Sequence, residues 1–475
     1  MKYFITTFGC QMNVHESEKL AGALENLGAF PCEKIEDADI IVFNTCAIRE
    51  GAEDRAIGNI GALKKLKREH PEKIIAVCGC MTQQKEESEK LYKTFPFIDI
   101  IFGTKNLEKF ENFIKDIMKC RQANKKKRIN EIEENDYIIE NLPIARTSGK
   151  NFWVNIIYGC NNFCSYCIVP YVRGREISRP VNEILNELDV LSKMGVLEIC
   201  LIGQNVNSYH GKIKNPSFNN QSENSNNKNP STSSDFTNEV QNPDDVTFAE
   251  LLQLIANHLK KTNSSIKWVR FMSSHPKDLT DDVIDVIARE KVLCRHIHLP
   301  VQHGSNAILQ KMNRRYTREH YLALVEKIKS KIPEVSLTTD IMMGFPGETE
   351  QDVLDTLDLM EKVCYESAMM YFYNPREGTP AAKMEQLPVE VRKERLQRVI
   401  DLQLEHTHRQ MSARVGKIVQ VLVEGVSRDD KTELLGQTEQ HEKVAFKAEK
   451  SCIGHFVNVK LTELSGNTFR GELWS

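Results

Sequence analysis

The chain places Cys160, Cys164 and Cys167 on one short stretch, Asn155-Ile-Ile-Tyr-Gly-Cys-Asn-Asn-Phe-Cys-Ser-Tyr-Cys-Ile-Val-Pro170. Three thiols this close cannot be a disulfide framework, because the number is odd and the loop is short. They also fall short of a four-cysteine zinc site. They suit a cubane iron–sulfur cluster, in which each thiolate takes one corner iron. A cubane has four irons, so one keeps an open position that can chelate a small molecule, as catalytic metal sites do. The competing reading is a stray group of structural or zinc-binding cysteines.

A chain of 475 residues is too long for one ordinary core and should divide into two or three domains. Its 40% hydrophobic and 27% charged residues fit a globular protein rather than a disordered one. No apolar run reaches the roughly 18 residues of a membrane span. Met1-Lys-Tyr-Phe-Ile-Thr-Thr-Phe8 runs directly into a strand-like segment and does not read as a signal peptide. The expectation is a cytoplasmic protein without a membrane partner. In a reducing compartment, 13 cysteines read as metal ligands and buried thiols. The net charge of −3 neither supports nor excludes a nucleic-acid partner. Basic runs such as Lys64 to Arg68 are more often solvated helix faces.

Over the first 120 residues, β-branched runs alternate with amphipathic helices. Strands are expected at Tyr3–Phe8, Asp39–Asn44, Lys73–Cys78 and Ile98–Phe102, the last closing the series. This alternation indicates a doubly wound parallel sheet. Cys10, Cys46 and Cys80 each fall just past the end of one of these strands, at the edge where open α/β sheets bind ligands. Three cysteines distant in sequence would meet in one crevice, which fits a second cluster. Each alone could be a small core residue; that does not explain their shared topological position. Cys78 falls within a strand and reads as a buried thiol.

Residues 121–145 read as a connector. From 146 to 408, six strands are expected near Phe152–Ile157, Leu197–Ile202, Lys267–Met272, His296–Val301, Val335–Ile341 and Ser367–Phe372. Each ends in polar or Gly-rich residues, as in a partial (β/α)6 barrel with its site on that face. Residues 213–245 interrupt it with an Asn/Ser-rich insertion, expected to be disordered because it cannot bury enough apolar surface. A helix over Val389–Ser412 leads to a tail, 409–475, with strands expected at Ile418–Val423, Val444–Phe446, Phe456–Leu461 and Phe469–Leu473. That spacing points to a small β-barrel.

The Cys160/Cys164/Cys167 motif and its surroundings resemble the radical S-adenosylmethionine (SAM) enzymes. The resemblance implies a 4Fe–4S cluster whose open iron binds SAM and whose electron releases a 5′-deoxyadenosyl radical. It implies that Tyr166 lies near the adenine, unless it is only a packing aromatic. By the same resemblance Gly203 and Gln204 receive the methionine amino group, and Gly344 and Gly347 let the backbone approach the adenine; each could instead be an ordinary turn. With Cys10, Cys46 and Cys80 included, the chain resembles the methylthiotransferases, in which such cysteines hold an auxiliary 4Fe–4S cluster. The tail resembles the TRAM domain, a module of RNA-modifying enzymes, though it could be a packing module.

Family resemblance implies that one SAM methylates a sulfur on the auxiliary cluster, a second is cleaved to the radical, and the methylthio group is transferred. Two SAM per turnover, a sulfur source and an electron donor such as flavodoxin or ferredoxin are then required, and a monomer is expected. Three branches differ in substrate: N6-isopentenyl (dimethylallyl) adenosine at position 37 of tRNA, N6-threonylcarbamoyladenosine in tRNA, or an aspartate of a ribosomal protein. Thr7-Phe-Gly-Cys-Gln-Met-Asn13, Asn44-Thr-Cys-Ala-Ile-Arg-Glu50, Val169-Pro-Tyr-Val-Arg-Gly-Arg-Glu176 and Gly203-Gln-Asn-Val-Asn-Ser-Tyr209 look most like the first branch. Arg49, Arg173 and Arg175 could hold tRNA phosphates or form surface or interdomain ion pairs. A different class also remains: a non-catalytic iron–sulfur protein that senses RNA.

Overall fold

The computed structural model of the chain describes residues 1–47, 50–133, 142–145, 151–213 and 245–474. The N-terminal sheet is parallel throughout, in the order Phe30–Pro31, Lys2–Thr7, Ile40–Thr45, Ile74–Gly79, Ile100–Phe102, Ile129–Glu131. Its central strands, Ile40–Thr45 and Ile74–Gly79, are buried along their whole length. Helices cover both faces, so continuous apolar runs rather than alternation mark these strands. The series does not close at Phe102: Ile129–Glu131 adds to the edge inside the expected connector. Ile129 stands alone between Arg128 and Asn130, so no apolar run announces it.

The central region forms two parallel three-stranded sheets: Asn151–Asn155, Glu198–Ile202 and Trp268–Phe271; then His296–His298, Ser336–Met343 and Ser367–Phe372. A backbone bridge from Val269 to Leu293 joins them. These are the six expected strands of an open (β/α) barrel, packed by one large apolar cluster that includes Leu188, Leu252 and Ile284 of the surrounding helices. Most of the expected insertion lies outside the described residues. Its two edges, His210–Lys212 and Asp245–Thr247, pair antiparallel.

The helix Val389–Ser412 runs along the barrel into the tail. There Ile418–Val426, Leu434–Thr438, Lys443–Lys447, Phe456–Ser465 and Thr468–Trp474 form a closed barrel. Sequence reading missed Leu434–Thr438, where only two apolar residues precede Gly-Gln-Thr. The tail is fastened to the amino ends of the central strands. Arg270 is buried and donates from Nε to Glu198 at 2.5 Å and from Nη2 to the Thr438 carbonyl at 2.7 Å. Trp268 meets Phe456 edge-on at 4.7 Å. Among the described residues, no helix is long and apolar enough to cross a membrane.

Candidate active site

The carboxyl edge of the N-terminal sheet carries one triad of cysteines. Cys10 caps the helix Gln11–Asn26, Cys46 follows Ile40–Thr45, and Cys80 opens the short helix after Ile74–Gly79. Cys46 and Cys80 are buried and Cys10 is half-buried. The crossing is tight enough to demand glycine. Gly9 has φ +108, and a Cβ there would lie 2.8 Å from the Cys46 sulfur. Gly79 has φ +105, and a Cβ there would lie 2.3 Å from the Thr45 carbonyl oxygen. Asn13 ties the loops together: its Nδ2 donates to Phe8 O at 2.7 Å and to Thr45 O at 2.9 Å.

The second triad sits on the loop after the first barrel strand. Cys164 is buried; Cys160 and Cys167 are half-buried. Gly159 has φ +69, and a Cβ would lie 2.0 Å from the Arg175 carbonyl oxygen. The loop is held from outside itself. Ser165 donates from N to Met312 O at 3.0 Å and from Oγ to Lys311 O at 2.7 Å. Asn313 donates to Phe163 O at 2.9 Å. The buried Arg314 donates to the Cys164 sulfur at 3.4 Å and to Pro300 O at 2.9 Å.

The two triads belong to different domains and meet at one interface. Ile168, next to Cys167, packs with Val172, Ala47 and Cys80. Burial pushes the Cys80 and Cys160 thiols up to about 12, and raises Cys167 strongly as well, with the neighbouring Cys164 adding to the rise. When free, Cys80, Cys160 and Cys167 are held neutral by that burial; a coordinated metal would deprotonate them and supply the compensating charge. Among the described residues, no three His, Cys, Asp or Glu side chains converge as ligands of a single metal ion. A cubane makes a different demand, since each thiolate binds its own iron and the sulfurs stand apart.

Two further observations fit cluster and cofactor. The Arg173 Nε is buried and has no hydrogen-bond partner among the described residues. The same holds for Asn155 Oδ1, Asn205 Oδ1 and Ser274 Oγ, which follow or end three successive barrel strands. Buried polar atoms left open at a strand edge suit a polar ligand.

A cavity of about 740 Å³ opens beside the barrel triad. Tyr166, Cys167, Asp340, Met342, Met369 and Tyr371 line it from the barrel, and Gly51 and Asp54 from the N-terminal domain. Met369 and Tyr371 are 53% and 37% exposed, at alternate positions of the edge strand Ser367–Phe372. Large apolar side chains left open on one strand face make an apolar wall. Arg376 also lines the cavity, with its Nη1 paired to Glu53 at 2.7 Å.

The remaining sequence candidates fall as follows. Tyr166 meets Phe345 edge-on at 6.5 Å, so it packs and lines the cavity at once. At Gly203 a Cβ would lie 2.3 Å from Ile157 Cγ2, and Gln204 reaches to 2.6 Å from the Met12 sulfur. Gly344 and Gly347 have φ +70 and +73, but the room they leave is taken by the chain itself: Arg392 Cγ lies 2.3 Å, and Lys311 Nζ 2.6 Å, from where a Cβ would stand. Buried Glu348 clamps that turn, accepting from Gly344 N–H at 2.7 Å and facing His303 at 3.1 Å.

Arg173 is not placed to meet phosphate. Its side chain is 4% exposed and donates to Glu16 at 2.7 Å and to Asn13 Oδ1 at 2.8 Å. It is an interdomain ion pair, because the helix Val169–Arg173 points it into the N-terminal domain. Arg175 is exposed and lies over the Phe163 ring at 4.4 Å. Arg49 lies outside the described residues. Sequence reasoning missed Asn13, Glu16, Arg314 and Glu348. Asn13 and Glu16 sit one turn apart on one helix, a spacing that was there to be read; Arg314 carries no local signal.

Comparison with known proteins adds three domain matches: the uncharacterized protein family UPF0004 over residues 2–103, the radical SAM superfamily over 154–360, and the TRAM domain over 412–474. A protein of Caldicellulosiruptor saccharolyticus called tRNA-2-methylthio-N(6)-dimethylallyladenosine synthase is 46% identical over 472 residues, covering 99% of this chain and 92% of that protein. A Clostridium botulinum (strain Langeland) protein of the same name is 47% identical, covering 99% and 96%. Among solved structures, the radical S-adenosylmethionine methyltransferase TsrM from Kitasatospora setae, with cobalamin and a 4Fe–4S cluster bound, superimposes with TM-score 0.54 at 12% identity, covering 80% of this chain and 77% of that one. At that identity the likeness is one of fold.

Proposed function

The chain belongs to the tRNA-2-methylthio-N(6)-dimethylallyladenosine synthase family, and from that premise we propose that it converts N6-dimethylallyladenosine at position 37 of tRNA to its 2-methylthio derivative. The observation that carries this is the meeting of two cysteine triads from two domains, through Ala47, Cys80, Ile168 and Val172, beside an apolar-walled cavity. In this reading Cys10, Cys46 and Cys80 hold an auxiliary 4Fe–4S cluster, and Cys160, Cys164 and Cys167 hold the cluster that binds SAM. When bound, these groups would supply the one-electron chemistry that an unactivated C–H carbon requires and a place to hold the sulfur brought from outside.

The chain's own residues hold, align and enclose. Ser165, Asn313 and Arg314 fix the loop that carries the SAM-binding centre. Tyr166 and the polar strand ends Gly203 and Gln204 contact SAM, with Asn155, Asn205 and Ser274 supplying unfilled hydrogen-bonding capacity. Gly344 and Gly347 act one step back, shaping the turn under Phe345. The wall of Met342, Met369 and Tyr371 takes the uncharged dimethylallyl chain. A threonylcarbamoyl carboxylate would ask for a cation there, and Arg376 is already paired with Glu53.

The tail barrel and the exposed Arg175 contribute to tRNA binding, with Arg49 a further candidate. Two SAM are used per turnover, sulfur comes from an external source, and a flavodoxin or ferredoxin supplies electrons. The enzyme works as a cytoplasmic monomer.

Nucleoside mass spectrometry on tRNA from cells lacking the gene, with and without its restoration, tests the assignment. The methylthio nucleoside should appear only with the gene, and its dimethylallyl precursor should accumulate without it. Loss of the methylthio group from the threonylcarbamoyl nucleoside alone would overturn the substrate choice. No change in either nucleoside would overturn tRNA methylthiolation.

A further inference from the structure

Arg173 belongs to the loop of one centre and acts on the other. It lies six residues beyond Cys167, at the end of the helix Val169–Arg173. Its guanidinium crosses the domain interface and is grasped by Glu16, at 2.7 and 3.3 Å, and by Asn13 Oδ1 at 2.8 Å. Asn13 also binds the backbone of the Cys10 and Cys46 loops. The same Asn13 Oδ1 that accepts from the guanidinium lies 3.8 Å from the Cys10 sulfur. One donor, Nε, is buried and unpartnered among the described residues. A buried guanidinium with an open N–H beside thiols is built to receive a sulfur acceptor.

Three thiolates outweigh the charge of an oxidised cubane core, so a loaded auxiliary centre is negative, and Glu16 adds to that. Buried charge of one sign needs a counter-charge held in place. We propose that Arg173 is a positioning residue for the auxiliary centre, carried in by the loop of the SAM-binding centre, where it sets the auxiliary potential and ties the alignment of the two centres together. The inference rests on the two-centre reading given above. Supporting groups of this kind tune a cluster through charge and hydrogen bonds to sulfur.

The test uses the full chain carrying Cys160→Ala, Cys164→Ala and Cys167→Ala, so that only the auxiliary centre is loaded. In that background Arg173→Met, Arg173→Lys and Glu16→Gln are compared by iron content and by redox titration followed by electron paramagnetic resonance. Arg173→Met should lower the midpoint potential, because the reduced, more negative form loses its counter-charge. Glu16→Gln should raise it, and Arg173→Lys should fall between Arg173→Met and the parent. A purely structural brace would loosen the site in both variants without this reversal of sign. Unchanged potentials in loaded proteins, or shifts in the same direction, would overturn the proposal. If Arg173→Met fails to take up iron, Glu16→Gln decides alone: a rise supports the proposal, and no change or a fall overturns it. Absence of iron from the background protein would instead sink the two-centre reading, and this inference with it.

Discussion

The two cysteine triads bring three thiols together in opposite ways. Cys160, Cys164 and Cys167 share a single loop, so their proximity is a local property of eight consecutive residues. Cys10, Cys46 and Cys80 lie at the ends of three strands, so theirs depends on sheet register: Thr7 opposite Asn44, and Thr45 opposite Gly79. A one-residue slip of a strand would turn its side chains to the other face and displace the terminal cysteine. The loop triad, in turn, depends for orientation on distant partners, Lys311 to Arg314. Proximity is local in one case and global in the other, and both triads draw a supporting guanidinium from far along the chain, Arg173 for the strand-end triad and Arg314 for the loop triad.

Removing a ligand should have the largest effect and separate the two centres. Cys160→Ala or Cys10→Ala should lower product formation by more than about 100-fold, beyond the usual cost of losing a supporting residue. Iron analysis should show about half the parent's iron in each variant, held at the untouched triad. If either variant lost all its iron, the triads would not be independent in the way described.

Backbone substitutions probe the same contrast more gently. Gly79→Ala and Gly159→Ala each force a Cβ against a carbonyl oxygen at positive φ, which costs about 1–3 kcal/mol. Gly79→Ala should release iron from the auxiliary triad and spare the loop triad; Gly159→Ala should do the reverse. Metal content and thermal unfolding check both.

The cavity wall comes next. Met369→Asp places a carboxylate where the dimethylallyl chain is proposed to rest, and should raise KM for the prenylated RNA by roughly 10-fold. Iron content should be unchanged, since Met369 is on the edge strand rather than on either triad. Unaltered KM would move the prenyl site elsewhere.

The smallest effect is expected far from both centres. Glu366, near the tail-barrel junction, is pushed up to about 7 by burial, although it accepts from Leu337 N–H at 2.7 Å. The fold therefore favours its neutral form. That contribution is complete below the ordinary carboxyl range and is lost as pH rises through about 7. Glu366→Gln should flatten this dependence and raise Tm at pH 8 by about 2 °C. A Tm profile identical to the parent's would refute it.

Much of this was legible beforehand, for reasons that differ by element. The long strands announced themselves because strands buried on both faces must be apolar throughout. Ile129–Glu131 and Leu434–Thr438 did not, because an edge strand or a barrel hairpin is defined by its backbone partners rather than by an apolar run. Arg173 shows the limit at the site. Its sequence context is a basic pair, Arg173 and Arg175, which read equally as a phosphate contact or an ion pair. Only the packing of two domains sends one guanidinium to Glu16 and leaves the other at the surface.

By itself the amino-acid sequence determined the chemistry: two sets of three cysteines, one by spacing and one by strand-end position, with a barrel between them and the tail. Tertiary structure decided which charges the cysteines would see. Thiol spacing along a chain is a covalent matter, whereas the field at a buried sulfur depends on side chains that arrive from elsewhere in the fold. Arg173 arrives from the helix beyond Cys167, and Arg314 from 150 residues past Cys164.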